Sequence, residues 1–493
     1  MKQVFYIFSI LVLTVLSVSC QDRVVTEVIH PDNESLIRNP AMGWGIYADN
    51  KVMDADVFWE DLGEPASEYC TFLYIRVPWS YMEPREGYYV WEYDDNYKAL
   101  VKEARKRGLR LCFRVFYDSQ DMSFQSTPEY VRAAGASGYV SNTGYWSPYP
   151  DDPVFQDKLE KFVGAFAEEY DDPSFVDCID AYNLGWWGEG HHVRLMNPDN
   201  FKETSLRISG IYSEAFKNVL LAINYHREIT EDVLAEIIER YDFILRHDAF
   251  GSQWYGDFER NFAAAYGFPD RPVLAESCYW FVGIDKGTRI NPDGTDDTER
   301  WRNDEYRRGM DSWRDVYLAT YEDAEEAHAN TLDLREKREA ASWIAEAPDV
   351  VEKFMLNGGY RFTPVKVSYH ATVNRKDTVT VEHTWINSGF GKFPGDNRRW
   401  EGRYMPAFSL IGASDSSKEY IVAVDSLARP SDWFKGSEYT CRTVLDLSDV
   451  PAGKYILAVS ILDTDRMIPG ITLSVSDRVS VNGWILLGDI NVK

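Results

Sequence analysis

The chain has 493 residues, 45% of them hydrophobic, which suits one large domain with a smaller companion better than a single ordinary domain. A formal net charge of -27 argues against a nucleic-acid partner, because phosphate binding needs clustered Lys and Arg; acidity of this kind describes a well-solvated surface. Aromatic residues make up 15%, with 16 Trp and 31 Tyr, enough to line a cleft as well as fill a core.

At the N-terminus Lys2 precedes an apolar stretch from Val4 to Val18 and then Ser19 and Cys20. The stretch is short for a membrane span and has the layout of a secretory signal, residues 1–20. A cysteine directly after it resembles a bacterial lipoprotein signal with Cys20 as the lipidated residue, although Ser17 stands where a Leu is expected. The expected location is therefore the outer membrane or cell surface through a lipid anchor, with the periplasm as the alternative. The other cysteines, Cys70, Cys112, Cys178, Cys278 and Cys441, are widely spaced and form no CxxC pair, so neither a zinc ribbon nor a disulfide framework is indicated.

From about residue 40 to 360, short apolar runs alternate with amphipathic stretches, the pattern of repeated βα units. Eight strands are predicted, at 43–47, 71–77, 109–116, 176–183, 219–224, 243–247, 273–276 and 328–334. Helices are predicted at 97–107, ended by Gly108, and at 153–170, where Leu159, Phe162, Phe166 and Tyr170 share one face. Eight such units close into a (β/α)8 TIM barrel, assigned residues 21–360. An open doubly wound sheet is the alternative, but the sequence has no Gly-rich phosphate loop. After Gly358 and Gly359 the pattern turns to period-two alternation at 378–386, 455–462 and 471–475, separated by turn residues. This predicts an all-β sandwich over 361–493, an α/β barrel followed by a β domain.

Barrel enzymes collect their chemistry at the C-terminal ends of the strands. Two glutamates fall there: Glu189, in the stretch from Ile179 to His192, and Glu276, directly after Val273, Leu274 and Ala275. A charged residue at the end of a buried strand costs several kcal/mol unless it is paired or useful. Paired carboxyl groups across a cleft are the minimum equipment for glycosidic cleavage, one protonating the leaving oxygen and the other attacking the anomeric carbon or activating water. Trp186 and Trp187 beside Glu189 form an apolar wall, which raises a carboxyl pKa as a general acid requires. Trp254, Tyr279 and Trp280 are candidate stacking platforms, and Arg76, Asn183, His192, Asn224, His226 and Asp248 are candidate polar contacts to a sugar. Glu83, Asp118 and Arg335 also lie a few residues beyond apolar runs; for Asp248 and for Asp333, plausible sugar-hydroxyl ligands, structural pairing is the better reading. Adjacent His191 and His192 point in opposite directions on an extended segment, so no metal is expected, and no cofactor.

The segment Arg76-Val-Pro-Trp-Ser-Tyr-Met-Glu-Pro-Arg-Glu-Gly-Tyr-Tyr-Val-Trp91 resembles the second-strand region of β-galactosidase-like members of clan A glycoside hydrolases. Asn39-Pro-Ala-Met-Gly-Trp44 with a following β-sandwich is similar to glycosidase-like lipoproteins of Bacteroidetes-type bacteria. The resemblance implies Glu189 as acid/base after the fourth strand, Glu276 as nucleophile after the seventh, and hydrolysis of oligo- or polysaccharides with retention. A carboxyl separation of ~5–5.5 Å accompanies retention and ~6.5–9.5 Å inversion. One departure stands out: the family places Asn immediately before the acid/base, where this chain has Gly188, with Asn183 upstream. The alternative is a surface glycan-binding lipoprotein that kept the barrel without the catalysis.

Overall fold

The computed structural model describes residues 23–49, 54–120, 123–252, 254–277, 310 and 312–493. Cys20, Tyr279 and Trp280, with the expected signal segment and lipid anchor, lie outside these. No helix among the described residues is long and apolar enough to cross a membrane.

Strand β1 (Val24–Val28) precedes the barrel strands β2 (Gly43–Asp49), β3 (Cys70–Pro78) and β4 (Arg110–Phe116). A small hairpin, β5 (Gly138–Val140) and β6 (Trp146–Pro148), follows. The barrel continues with β7 (Val176–Asp180), β8 (Leu220–Asn224), β9 (Ile244–Phe250), β10 (Val273–Ser277) and β11 (Ala329–Arg335). Its eight strands are parallel, neighbours in chain order, and closed by β11 pairing with β2. All eight coincide with the runs predicted from sequence, as do helices Asp95–Lys106 and Pro153–Tyr170. The second of these starts cleanly because Asp152 accepts the backbone N–H groups of Val154 and Phe155 and Pro153 opens the first turn.

Strand residues alternate between two buried faces. Leu73, Ile75, Val77, Leu111, Phe113, Val115, Leu221 and Ile223 join the helices in the outer core. The inward set changes character along the barrel axis. Near the N-terminal ends Phe72, Cys112, Cys178, Leu220, Ile244 and Leu274 are apolar, whereas toward the C-terminal ends Arg76, Arg114, Asp180, Arg246, Glu276 and Arg335 are charged and buried. Phe72 crosses the barrel floor so closely that a Cβ on Gly45 would lie 2.3 Å from its ring. Cys70, Cys112 and Cys178 are free and buried, small apolar side chains in effect.

The C-terminal part comprises β12 (Phe362–His370), β13 (Thr372–Val373), β14 (Val379–Asn387), β15 (Tyr404–Gly412), β16 (Asp415–Val424), β17 (Tyr439–Leu445), β18 (Gly453–Asp463), β19 (Ile468–Ile471), β20 (Ser480–Val481) and β21 (Trp484–Val492). One sheet runs β1-β12-β14-β17 and the other β13-β21-β18-β15-β16, with one shared core containing Val381, Trp385, Phe408, Leu457 and Ile490. Two sequence expectations change. The segment from Val24 pairs antiparallel with β12, so this N-terminal strand belongs to the β part and not to a barrel domain beginning at 21. Residues 472–475 are not a strand, because their backbone is taken up by earlier segments: Thr472 N–H by the Asn39 side chain (2.8 Å) and Ser474 N–H by the Phe362 carbonyl (2.8 Å).

The β part seals the barrel floor. Tyr360, Phe393, Trp400 and Tyr404 share a core with the apolar lower layer of the barrel. Trp400 Nε1 donates to Asn218 O (3.0 Å), Arg399 Nη1 to Tyr241 O (3.0 Å) and Asn397 Nδ2 to Asp242 O (2.8 Å), all at the turns entering β8 and β9. The opposite mouth, lined by the loops leaving the strands, is left for chemistry.

Candidate active site

Glu189 sits in a tight loop after β7. Trp186 N–H donates to His191 O (2.9 Å), Gly190 N–H to Leu184 O (2.8 Å) and Glu189 N–H to Trp186 O (3.0 Å), while Trp187 N–H ties the loop to Asp118 O (2.9 Å). Gly185, Gly188 and Gly190 take positive φ, and a Cβ on Gly185 would lie 2.2 Å from His191 O. Asn224 Nδ2, from the end of β8, donates to Glu189 O at 3.1 Å and holds the loop over the barrel mouth. The carboxyl group itself is buried and meets the Arg114 guanidinium, with His191 Nε2 3.6 Å from its other oxygen.

Glu276 comes from inside β10. Arg246 Nη2 donates to Oε2 at 2.9 Å, and Arg335 Nη1 stands 3.4 Å from Oε1. A chain of charge joins the two glutamates: Arg114 Nε donates to Asp180 Oδ2 (2.7 Å), Arg246 Nε lies 3.2 Å from the same oxygen, and Tyr74 OH donates to it at 2.5 Å. Tyr47 OH accepts from Arg246 Nη2 at 2.9 Å.

The two carboxyl groups titrate in opposite directions. Burial pushes Glu189 up to about 7, with the Asp248 charge adding to it and the Arg114 and Arg76 charges opposing. Burial also acts on Glu276, but Arg335 and Arg246 outweigh it and hold that carboxyl far below the usual range. Asp333, beside Glu276 and bonded to Ser277 N–H at 2.8 Å, is raised to about 7 by burial and by the Glu276 charge. One glutamate is thus protonated near neutrality and its counterpart ionised, the division that acid and nucleophile roles require.

The structure gathers several of the other expected residues here. Asp248 and His226 join Glu189 and His191, with the His191 and His226 rings 3.9 Å apart. Burial, together with the neighbouring His191 charge, pushes His226 down to about 3, leaving it neutral. Trp187 meets His191 edge-on at 5.9 Å, and Trp186 stacks on the more exposed His192 at 3.9 Å. Arg76 is buried at the end of β3, 3.4 Å from Asp49, with the charges of both glutamates acting on it.

One expectation is corrected. Asn183 does not reach the cleft, because its Nδ2 donates to Tyr212 OH (3.1 Å) on the helix Phe201–Ala215. Trp254 is partly buried and packs against the outer core beyond β9. Glu83 is structural, its oxygens accepting from Trp79 Nε1 (2.9 Å), Tyr130 OH (2.5 Å) and Gly87 N–H (2.8 Å). Sequence reasoning missed Arg114, Arg246, Asp180 and Glu228. The first two carried a signal, a lone arginine inside an apolar run; Glu228, beside Arg227 in a loop, carried none.

Among the described residues three groups bring potential metal ligands within 4.8 Å of one another: His191, His226 and Glu228; Glu189, His191 and Asp248; and His383, Asp425 and Cys441. Several of their members already have protein partners. His226 Nδ1 accepts from Glu228 N–H (3.2 Å), Glu228 accepts from His192 N–H (2.7 Å), and Glu189 meets Arg114. In the sandwich, His383 Nδ1 accepts from Trp385 Nε1 (2.7 Å) while Nε2 meets Thr443 Oγ1 (2.8 Å).

No family model and no curated protein matches the chain. Solved structures similar to it include an exo-β-1,4-mannosidase from Opitutaceae bacterium strain TAV5, with 14% identity over 67% of this chain and a TM-score of 0.40. An endo-glycoceramidase II from Rhodococcus sp. has 13% identity over 85% of this chain and 99% of its own, with a TM-score of 0.39. A cold-adapted β-galactosidase from Rahnella sp. R3 has 12% identity over 70% of this chain and 60% of its own, with a TM-score of 0.42. The chain spans 58% of the length of the mannosidase. All three names belong to glycoside hydrolases; the barrel assignment itself stands on the closed strand order.

Proposed function

We propose that the protein is a glycoside hydrolase working by a retaining two-glutamate mechanism. The observation that carries this reading is a pair of buried carboxyl groups at the mouth of one barrel with unequal partners: Glu276 is held between Arg246 and Arg335, which keep it ionised, whereas Glu189 meets Arg114 and is raised by burial toward the range of a general acid. Glu189 gives its proton to the glycosidic oxygen, the bond from that oxygen to the anomeric carbon breaks, and the leaving group departs as an alcohol. Glu276 Oε attacks the anomeric carbon from the opposite face and forms a glycosyl ester. Water then attacks the same carbon, Glu189 as carboxylate takes its proton, and Glu276 is released ionised. Arg246 and Arg335 keep Glu276 ionised and oriented between turnovers. Trp186, Trp187 and Arg76 are the proposed sugar contacts, on plant, algal or host glycans, with the protein held at the cell surface by a lipid on Cys20.

The test is turnover by the mature protein on a panel of aryl β-glycosides and polysaccharides, beside Glu189→Gln and Glu276→Gln, with the anomer of the first-formed product read by NMR. Turnover abolished by both changes and a retained anomer support the reading. An inverted product overturns the nucleophile role, and glycan binding without turnover by the wild type makes the protein a binding lipoprotein.

A further inference from the structure

The barrel interior is built in layers, and the second one is polar. Phe72, Cys112, Cys178 and Ile244 belong to the apolar floor. Two residues further along the same strands, where period-two alternation brings the next inward side chain, stand Tyr74, Arg114, Asp180 and Arg246, all buried. Asp180 is the one carboxylate among these four. A single one of its oxygens, Oδ2, accepts from Arg114 Nε at 2.7 Å and from Tyr74 OH at 2.5 Å, with Arg246 Nε at 3.2 Å. The Arg246 and Arg114 guanidinium groups lie 4.3 Å and 5.7 Å from the Tyr74 ring centroid, so β3, β4, β7 and β9 are tied together at this carboxylate.

Arg114 is divided between two anions. Its Nε donates to Asp180 and its Nη1 to Glu189, while the buried Nη2 has no partner among the described residues. A guanidinium holds a carboxylate most firmly when two parallel N–H groups meet it, and here each carboxylate receives one. The other charged or titratable groups acting on Glu189 are Arg76 from β3, Asp248 from β9, Glu276 from β10 and His191 from its own loop. Those near Asp180, beyond its own layer, are Cys112 from β4, Cys178 from β7 and Tyr212 from the helix Phe201–Ala215. Of all these groups Arg114 is the one in contact with both carboxylates.

We propose that Asp180 is a positioning residue for the proton-donating step: it holds one N–H of Arg114, and part of its charge, away from Glu189, and so decides that Glu189 and not Glu276 carries the proton. This rests on Glu189 being the acid. A carboxylate that merely neutralised buried arginines could do so wherever it met them. Asp180 instead meets the guanidinium that Glu189 shares and, through Arg246, one that Glu276 shares.

The experiment is the pH profile of Asp180→Asn, an isosteric change that keeps an acceptor for Arg114 and removes the charge. Taking away a unit charge one guanidinium distant, at an effective dielectric of ~20, moves a carboxyl by about one pH unit. Arg114 then acts on Glu189 undivided and favours its ionised form. The alkaline limb of kcat/KM, on a methyl glycoside of the sugar that the panel identifies, should therefore move to lower pH by about one unit, about a tenfold loss on that limb beyond any loss on the acid plateau. In an Arg114→Gln background the same change should move the limb much less, because the path between the two carboxylates is gone. A limb that stays in place in Asp180→Asn, with activity lost equally at every pH, overturns the proposal, as does an equal movement with and without Arg114. Should Asp180→Asn fail to fold, Tyr74→Phe removes one donor from Asp180 at constant charge and leaves that carboxylate more of Arg114. A limb moved to higher pH then supports the proposal, and one unmoved or moved lower overturns it. Where no glycoside turns over, infrared titration of the carboxyl band that Glu189→Gln removes reads the same shift. A band that moves with Asp180→Asn keeps the positioning role and discards the enzyme, and a band that stays discards the positioning role.

Discussion

The sharpest consequence of the site is a pH profile. Glu189, raised to about 7 by burial, must be protonated for the first step, and Glu276, held far below the usual range by two arginines, must be ionised. An acid with a pKa near 7 is about half protonated at pH 7 and about one-tenth protonated at pH 8, whereas an ordinary glutamate would be ~0.2% protonated at pH 7. kcat/KM should therefore hold a plateau from below pH 5 to about 6.5 and then fall about tenfold per pH unit, since this parameter reports groups in the free enzyme. Glu189→Gln should remove that limb and lower kcat/KM by ~10²–10⁴ for an alkyl glycoside, whose alcohol needs the proton. A 4-nitrophenyl glycoside, whose leaving group departs as an anion, should lose much less in the first step. The assay is initial rates on both substrates over pH 4–9. A limb near pH 4.5–5.5 would show that Arg114 overrides burial at Glu189, and a limb near 7 that survives Glu189→Gln would assign the acid elsewhere; either refutes the reasoning.

Other consequences are equally concrete. Glu276→Gln leaves Arg246 and Arg335 without their shared anion, so we expect loss of turnover by at least ~10³-fold and ~3–5 kcal/mol of stability, read by rate and by denaturant midpoint. Gly185→Ala places a methyl group 2.2 Å from His191 O at a positive φ, which should shift the Glu189 loop and cost about 10² in kcat/KM at nearly unchanged stability of the barrel. Trp400→Ala empties a fully buried site at the barrel floor and should cost ~3–5 kcal/mol in unfolding while kcat stays within twofold. For stability against pH, Glu189 and Asp333 are both raised on folding, so their contribution is complete below the ordinary carboxyl range and is withdrawn as pH climbs through about 7. Melting temperature should fall between pH 5 and 8, and Glu189→Gln should flatten part of that fall.

The barrel was legible because its strands are buried on both faces, so each reads as a nearly unbroken apolar run such as Thr71 to Val77 or Leu220 to Ile223. The sandwich was only partly legible. β14 and β18 alternate or run apolar and were foreseen, but β16 opens with exposed Asp415, Ser416, Ser417 and Lys418 and leaves only the short run Tyr420 to Val424 as a strand signal. β1 pairs with a strand more than 300 residues away, a contact that no local pattern encodes. At the site, Glu189 and Glu276 stood out by position, while Asn183 misled: its place on a strand end looked like a cleft residue, yet a positive φ turns it toward Tyr212. Arg114 and Arg246 were hidden by the same two-faced burial that exposed the strands, since alternate residues in such a run face either a helix or the barrel axis.

The difference between the two glutamates follows from how the arginines are shared. Four guanidinium groups, from Arg76, Arg114, Arg246 and Arg335, stand in the upper barrel. Glu276 takes direct contacts from two of them, whereas Glu189 meets only Arg114, which also donates to Asp180. Asp248 then adds a negative charge on the Glu189 side, and Arg76, closest to Asp49, acts on both without a direct contact to either. Mutual repulsion alone would split the titration of two neighbouring buried carboxyl groups without deciding which keeps the proton; the unequal arginine contacts make that choice. Asp180, bridging Arg114 and Arg246, draws positive charge away from Glu189 while it fixes the arginine that serves Glu276. The apolar floor beneath, plugged by Phe72 and the sandwich, keeps water from reaching this network from below and so preserves the low dielectric that makes the asymmetry large.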